Sequence, residues 1–250
     1  MRVIHKDRFE KLPSAVFIDI DDTLYPYEAA HTKAMATVKD LVANKFEIAG
    51  KNFEEVFAAA RADVKQCLED APSGRNRLLY FQKMFELIGV GSSPLDALNC
   101  EQTYWNTLMS ASSLFPGVVG FLDELRLNSV PIIAVTNLTS QVQFRKLVYF
   151  NVHEAFNFIV TSEQVGCEKP NPKIFEFAVG LANCAGEETW MIGDDLLCDI
   201  EGAKSAINAT TLLKLGIKNQ KISNTQAVDA HFSDFDKLTL LLRRIGDDAV

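Results

Sequence analysis

The amino-acid sequence predicts an α/β fold, in which a parallel sheet forms the core and an α-helical bundle is inserted into it. Three observations support this prediction. Short apolar, β-rich runs alternate with helical patterns in the second half of the chain, as in sheets built from right-handed crossovers. The runs are nearly continuous in apolar residues, which is typical of strands buried on both faces. Residues 25 to about 115, in contrast, carry helical patterns almost throughout.

The core elements follow in chain order. Five runs are predicted to be strands: Ala15–Ile20, Val130–Thr136, Phe156–Thr161, Thr189–Ile192 and Ala209–Leu215. A weaker strand is predicted at Ala230–Phe232. The helices predicted between and after these strands are Gln141–Phe150, Pro172–Cys184, Asp199–Ala206 and Asp236–Ile245. This alternation predicts a Rossmann-like core.

The inserted segment contains four amphipathic helical patterns. They are His31–Phe46, Phe53–Glu69, Arg77–Ile88 and Cys100–Ser110, with breaks at Gly50, Pro72-Ser-Gly74 and Gly89–Pro94. Four helices of this length can bury a core of their own. We therefore predict a core domain of residues 1–24 and 115–250 and a helical domain of residues 25–114.

Bulk properties exclude several classes of protein. The formal charge of -8 over 250 residues argues against a nucleic-acid partner, since phosphate backbones require a basic surface. No apolar run reaches the roughly 18 residues of a membrane span, and residues 1–14 lack the apolar core of a signal peptide. The five cysteines form no C-x-x-C pair, which indicates reduced thiols. A cytoplasmic protein without a membrane partner is expected.

Polar side chains cluster where the predicted strands end. They are Asp19, Asp21 and Thr23 after the first strand, Thr136 and Asn137 at the second, Lys169 after the third, and Asp194 and Asp199 after the fourth. Each alone could be a turn, a helix cap or a solvated charge. The carboxyl ends of parallel strands meet at one sheet edge, so together these residues predict a site for Mg²⁺ and phosphate. Carboxylates with substrate phosphate hold Mg²⁺, and lysine adds a positive charge.

The same residues resemble the four motifs of a known family. The stretches Asp19-x-Asp21-x-Thr23, Thr136-Asn137, Lys169-Pro170 and Gly193-Asp194-x-x-x-x-Asp199 are similar, in order and position, to those of the haloacid dehalogenase-like (HAD) hydrolase superfamily. The resemblance covers about residues 13–24 and 115–245. The helical segment resembles only the general type of cap that these enzymes insert after the first strand.

The resemblance implies a role for each matching residue in phosphoryl transfer. Asp19 would attack phosphorus and form an aspartyl-phosphate. Asp21 would protonate the leaving group and then activate the water that hydrolyses the intermediate. Thr136 and Asn137 would bind the phosphoryl group, and Lys169 would offset its charge. The family's founding dehalogenases lack an aspartate at the position of Asp21, so this residue favours phosphate esters over carbon–halogen bonds.

The resemblance also implies a metal cofactor. Mg²⁺ would be bound by Asp19, by the backbone carbonyl of Asp21 and by Asp194. Asp199 would orient a metal-bound water or Lys169. Asp195 has no implied role, and capping of the following turn is the favoured interpretation.

These observations predict a Mg²⁺-dependent phosphomonoester hydrolase acting on a small soluble phosphometabolite, either a nucleotide or a sugar phosphate. One alternative is a phosphotransferase or phosphomutase that uses the same aspartyl-phosphate. A second is a non-catalytic regulatory protein, which would be expected to lack at least one catalytic side chain; all are present. A receiver domain is disfavoured because about 90 residues are inserted after the first strand.

The helical segment says less about the substrate. Arg75 and Arg77, with Lys83 further along, could clamp an anionic leaving group or could form a solvated first turn. Both interpretations remain open. The aromatic residues Phe81, Phe85, Tyr104 and Trp105 recur near helical spacing and are expected in the bundle core.

Overall fold

The computed structural model describes residues 1–46, 53–69, 71–216 and 226–247. The chain divides into two compact units, one of Met1–Pro26 with Leu114–Val250 and the other of Tyr27–Ser113. Among the described residues, no helix combines the length and apolarity needed to cross a lipid bilayer. We call the first unit the core and the second the helical unit. The function of the helical unit as a cap stays a prediction.

The described part of the core contains a seven-stranded sheet with strand order β1-β7-β6-β5-β2-β3-β4. Its strands are β1 (Arg2–Val3), β2 (Ala15–Ile18), β3 (Ile132–Thr136), β4 (Phe158–Thr161), β5 (Thr189–Gly193), β6 (Thr210–Lys214) and β7 (Ala230–Phe232). All neighbours pair in parallel except β1 with β7. The predicted α/β class with a parallel core is confirmed.

Helices connect the strands and form the helical unit. They are α1 (Tyr27–Lys45), α2 (Phe53–Leu68), α3 (Arg77–Leu87), α4 (Pro94–Ser110), α5 (Val118–Leu127), α6 (Ser140–Tyr149), α7 (Ser162–Val165), α8 (Pro172–Ala182), α9 (Gly202–Ile207) and α10 (Phe235–Asp247). A π-helical turn, Leu196–Glu201, directly precedes α9. The helix predicted at Asp199–Ala206 therefore begins earlier, in a different helical form.

Three core elements were not predicted: β1, α5 and the four-residue helix α7. Strand β1 has only two residues, too few to show a pattern, and pairs with β7. Helix α5 follows Gly117, whose φ is 82°, and buries Val118, Phe121, Leu122 and Leu125. This i, i+3, i+4, i+7 spacing is the signature of a helix packed on one face, so the sequence did contain the signal.

Strand β2 lies inside the sheet, between β5 and β3, and the first acidic residues follow its carboxyl end. All four residues of β2 are fully buried, as expected for a strand covered on both faces. Ile18 pairs with Ala134 of β3 and with Ile192 of β5. The carboxyl ends of three neighbouring strands therefore lie side by side, immediately before Asp19, Asn137 and Asp194.

The helical unit has an aromatic core. Helix α1 packs against α4, and α2 packs against α3. The side chains of Phe81, Phe85, Tyr104 and Trp105 are buried, which confirms the predicted bundle core. The break predicted at Gly50 lies outside the described residues.

Candidate active site

Lys169 lies at the centre of the polar cluster. Its Nζ donates hydrogen bonds to Oδ1 of Asp19 at 2.7 Å, to Oδ1 of Asp199 at 2.6 Å and to the carbonyl of Val135 at 2.6 Å. The side chain of Lys169 is only 2 % exposed. One ammonium group thus contacts Asp19, which follows β2, Asp199, which comes after β5, and Val135 within β3.

The position of Asp199 depends on the glycine that ends β5. A Cβ at Gly193 would lie 2.2 Å from Oδ2 of Asp199, so any larger residue there would displace the carboxylate. The same Oδ2 accepts a hydrogen bond from the backbone N–H of Asp195 at 3.1 Å. The Asp195 side chain caps the π-helical turn, accepting from the N–H groups of Leu197 and Cys198 at 2.9 and 2.8 Å.

Asn137 holds the backbone of Lys169. Its Oδ1 accepts from the Lys169 N–H at 2.7 Å, and its Nδ2 donates to the Lys169 carbonyl at 2.9 Å. This paired contact fixes the loop from which the lysine side chain enters the cluster. The phosphate-binding role of Asn137 stays a prediction, and the contact seen here is to protein backbone.

The cluster contains more carboxylates than cations. Oxygen atoms of Asp19, Asp194 and Asp199 all lie within 4.8 Å of one another. Thr23 Oγ1 is 3.4 Å from both Asp19 Oδ2 and Asp194 Oδ1. Burial and neighbouring carboxylates raise the pKa of Asp19 to about 7, against the opposing effect of Lys169. Burial, Asp19 and Asp199 raise the pKa of Asp194 to about 8.

These oxygens fit a hard divalent cation. Buried carboxylates that hold each other's pKa high indicate that positive charge would be stabilising there. Both oxygens of Asp199 already accept hydrogen bonds, from Lys169 and Asp195. Asp19 and Asp194 are therefore the better-suited side-chain ligands. One or two carboxylates are what Mg²⁺ commonly takes from a protein.

The Asp21 carboxylate lies in a separate pocket. Its Oδ1 accepts from Lys146 Nζ at 2.6 Å and from the hydroxyl of Tyr25, while its Oδ2 accepts from Gln143 Nε2 at 3.1 Å. Burial alone would raise the pKa of Asp21, but Lys146 and these hydrogen bonds lower it below its usual range. Asp21 does not belong to the three-carboxylate group found among the described residues, and its acid–base role stays a prediction.

Gln143 and Lys146 were not predicted as site residues. Both are fully buried on α6, and their i, i+3 spacing places them on one helix face. Gln143 Nε2 also donates to Thr136 Oγ1 at 2.6 Å. Because that hydroxyl accepts from Gln143, its own proton can be donated to another acceptor. The only sequence signal was a polar pair on a helix next to Thr136, and such pairs are usually solvated.

Comparisons with known proteins agree with this geometry. A family model described as haloacid dehalogenase-like hydrolase matches residues 13–206. Ribulose-1,5-bisphosphate 5-phosphatase from Halopiger xanaduensis is 32% identical over 206 residues, covering 81% of this chain and 84% of that protein. Glyceraldehyde 3-phosphate phosphatase from Methanopyrus kandleri is 30% identical over 203 residues, covering 81% and 84%.

A solved structure shows the same fold. The 2-haloacid dehalogenase from Pseudomonas syringae pv. Tomato DC3000 superposes with a TM-score of 0.78 at 20% sequence identity, covering 93% of this chain and 99% of that chain. At this level of identity the likeness concerns the fold and not the reaction.

Proposed function

Because the chain belongs to the haloacid dehalogenase-like hydrolases and is an enzyme of their phosphatase type, we propose that it hydrolyses phosphomonoesters of small sugar phosphates with Mg²⁺ as cofactor. The family and the enzyme class predicted from the motifs are confirmed. The mechanism, the metal and the substrate are the proposal.

One observation carries the mechanism: the Asp19 carboxylate is held by Lys169 at the carboxyl end of β2. Lys169 fixes one oxygen of Asp19 and leaves the other to attack phosphorus. The attack forms an aspartyl-phosphate and releases the sugar alcohol. The ammonium of Lys169 offsets the charge that develops when a carboxylate meets a phosphate in a buried site. Thr136 ends the neighbouring strand β3 and Asn137 follows it; both are proposed to bind the phosphoryl oxygens.

Asp19 and Asp194 would hold Mg²⁺, together with the backbone carbonyl of Asp21. When bound, the metal would supply positive charge to the carboxylates and to the phosphate oxygens. Asp199 keeps Lys169 directed at Asp19, since it accepts a hydrogen bond from the same ammonium. Asp194 is thus proposed to bind the metal, and Asp199 is proposed to position Lys169.

Asp21 is proposed as the general acid and base. Its lowered pKa keeps it ionised at neutral pH, which suits the second step, where it takes a proton from the attacking water. The first step requires the protonated carboxyl, which would donate to the leaving-group oxygen. Lys146 and Gln143, which hold Asp21 in place, would then influence both steps.

The proposed substrate class comes from the relatives. Two proteins at 30–32% identity are named for phosphatase activity on phosphorylated sugars, which favours a sugar phosphate over a nucleotide here. Water is the proposed final acceptor. Transfer to a second sugar hydroxyl would leave the phosphate on the product, and this difference can be measured directly.

The test is phosphate release from a panel of sugar phosphates and nucleotides, with and without Mg²⁺. We expect release to require the metal and to be lost in Asp19→Asn. Asp195→Asn is the matched control, because asparagine also caps a helical turn and, among the described residues, the Asp195 side chain hydrogen-bonds to the N–H groups of the turn. No release from any ester, or release that survives Asp19→Asn, would contradict the proposal. An isomerised phosphosugar without free phosphate would indicate phosphotransfer.

A further inference from the structure

Arg77 begins α3 inside the helical unit, and aromatic rings surround its guanidinium. The guanidinium carbon lies 5.1 Å from the ring centroid of Tyr104, 5.5 Å from that of Trp105 and 5.7 Å from that of Tyr80. Although the residue as a whole is partly exposed, its guanidinium packs between these rings. The interpretation of Arg77 as part of a solvated first turn is therefore wrong.

Hydroxyl groups complete the surroundings of this guanidinium. Its NH2 nitrogen donates to the Tyr27 hydroxyl at 2.5 Å, and its NH1 nitrogen donates to the carbonyl of Arg75 at 3.3 Å. The Tyr27 and Tyr104 hydroxyls are 2.8 Å apart, and Nδ1 of His31 is 2.7 Å from the Tyr104 hydroxyl. We call Arg77, Tyr27, His31, Tyr104 and Trp105 the Arg77 cluster.

The charge of Arg77 is not matched by a carboxylate. In the part of the chain that the structure describes, Arg77 forms no ion pair with an Asp or Glu, the neighbouring groups that interact with its charge are tyrosines, and its buried Nε has no hydrogen-bond acceptor. A guanidinium has five N–H donors, so several are available. A desolvated cation without a counter-ion is unfavourable, and an anion placed there would remove that cost.

The neighbouring charges favour an anion further. Arg61 and Arg75 also lie close enough to Tyr80 to oppose the rise in its pKa that burial causes. Burial, with Arg77 as the next cause, lowers the pKa of His31 to about 4 against the opposing charge of Glu28, so His31 is neutral at physiological pH. Positive charge therefore gathers here in a chain whose net charge is -8.

We propose that the Arg77 cluster binds a phosphate-like oxyanion, with the Arg77 guanidinium as the charged donor and the Tyr27 and Tyr104 hydroxyls beside it. Planar guanidinium donors match the oxygens of phosphate. The anion is a free oxyanion that binds by itself within the helical unit. This inference does not rest on the proposed function.

Arg77→Met removes the guanidinium, and two further variants control for this change. Lys83→Met removes a charge of the same sign from the same helix, but Lys83 lies near the carboxylates of Asp63 and Glu86 and should leave sulfate binding unchanged. Tyr27→Phe removes only a hydroxyl and keeps the ring. If Arg77→Met fails to fold, Tyr27→Phe should still weaken sulfate binding, by about 3-fold.

Binding of sulfate tests the site without turnover. Trp190 is replaced by Phe, so that the fluorescence of Trp105, next to Arg77, reports on the cluster. Sulfate should change this fluorescence saturably, and Arg77→Met should abolish the change while Lys83→Met keeps it.

The negative outcomes are distinct. If sulfate binding does not depend on Arg77 and Tyr27, the inference is wrong. If no ester releases phosphate while sulfate still binds through Arg77, the proposed function fails and the anion site stands.

Discussion

Two buried lysines of the core each contact an aspartate of the first motif, yet their surroundings differ in charge. Lys169 donates to Asp19 and Asp199, and a third carboxylate, Asp194, lies in the same cluster. Among the described residues, the ion pair of Lys146 is with the carboxylate of Asp21. Counted over the same residues, Lys169 lies among three carboxylates and Lys146 is paired with one.

The two pockets shift the pKa values of their carboxyl groups in opposite directions. Burial is the largest influence on the pKa values of Asp19, Asp194 and Asp21, and it raises the pKa in each case. Around Lys169 the extra carboxylates keep the pKa of Asp19 at about 7 and that of Asp194 at about 8. Beside Lys146 the pKa of Asp21 is lowered. Further positive charge, from protons or from a cation, would therefore be stabilising in the Lys169 pocket, whereas Asp21 is already stabilised as a carboxylate by Lys146.

Removing Lys169 should have the largest effect. Lys169→Met leaves the carboxylates of Asp19 and Asp199 without their ammonium, so kcat for a sugar phosphate should fall by at least about 10²–10³-fold. Lys204→Met is the matched control, because Lys204 also pairs with a buried carboxylate, Asp229, outside the candidate site. A loss smaller than about 10-fold in a variant folded by circular dichroism would contradict the role of Lys169.

Removing Lys146 should have a smaller effect that depends on the leaving group. If Lys146 positions Asp21 as the general acid, Lys146→Met should slow an alkyl phosphate ester by roughly 10²-fold. p-Nitrophenyl phosphate should be slowed much less, because its leaving group is stable as an anion and needs no proton. Parallel kcat/KM measurements on the two esters check this, and equal losses on both would contradict it.

Stability should depend on pH in a direction set by the Lys169 pocket. The folded-state pKa values of Asp19 and Asp194, about 7 and 8, lie above the reference value of 3.8. Between these values the unfolded chain has released both protons while the folded chain retains them. The stabilisation of the folded chain by protonated Asp19 and Asp194 is therefore fully present below pH 4 and is lost as the pH rises through 7 and 8. In EDTA the unfolding temperature of wild type should fall from pH 5 to pH 8.

A double variant isolates this contribution. The double variant Asp19→Asn, Asp194→Asn lacks both titrating groups. The unfolding temperature of the variant should therefore exceed that of wild type at pH 8, and this difference should shrink towards pH 5. Mg²⁺ added to wild type should raise the unfolding temperature more at pH 8 than at pH 5, because binding competes with protons. A wild-type stability that rises with pH relative to the double variant would contradict the assignment.

Asp195 should show the smallest effect, although it is adjacent to Asp194 in the sequence. Its side chain caps the π-helical turn, so Asp195→Ala should lower the free energy of unfolding by about 1 kcal/mol. Asp195→Asn should be close to wild type. Urea titration measures both, and an effect on Mg²⁺ affinity larger than that on stability would place Asp195 at the metal instead.

Much of the site could be predicted because it follows from topology. The carboxyl ends of parallel strands share one edge, so Asp19 after β2 and Asp194 after β5 must be neighbours once the sheet forms. Lys169 could be placed near them for the same reason. The strand boundaries were too long, since β2 ends at Ile18 and not at Ile20, because apolar residues continue into the loop.

The rest depended on how helices pack, which the sequence does not specify directly. Lys146 and Gln143 reach Asp21 only because α6 presents that face to the first-motif loop. Arg77 is surrounded by aromatic rings only because residues of α1 and α4 meet it there. A helix pattern gives the periodicity of a face, but not the partner that the face meets.

The measurement that tests the central claim most directly is calorimetric binding of Mg²⁺ at pH 8 to wild type, Asp194→Asn and Asp21→Asn. The charge balance of the two pockets predicts binding to wild type, at least about 10-fold weaker binding to Asp194→Asn, and little change in Asp21→Asn. Equal affinity in wild type and Asp194→Asn, or a loss that follows Asp21 instead, would contradict the account.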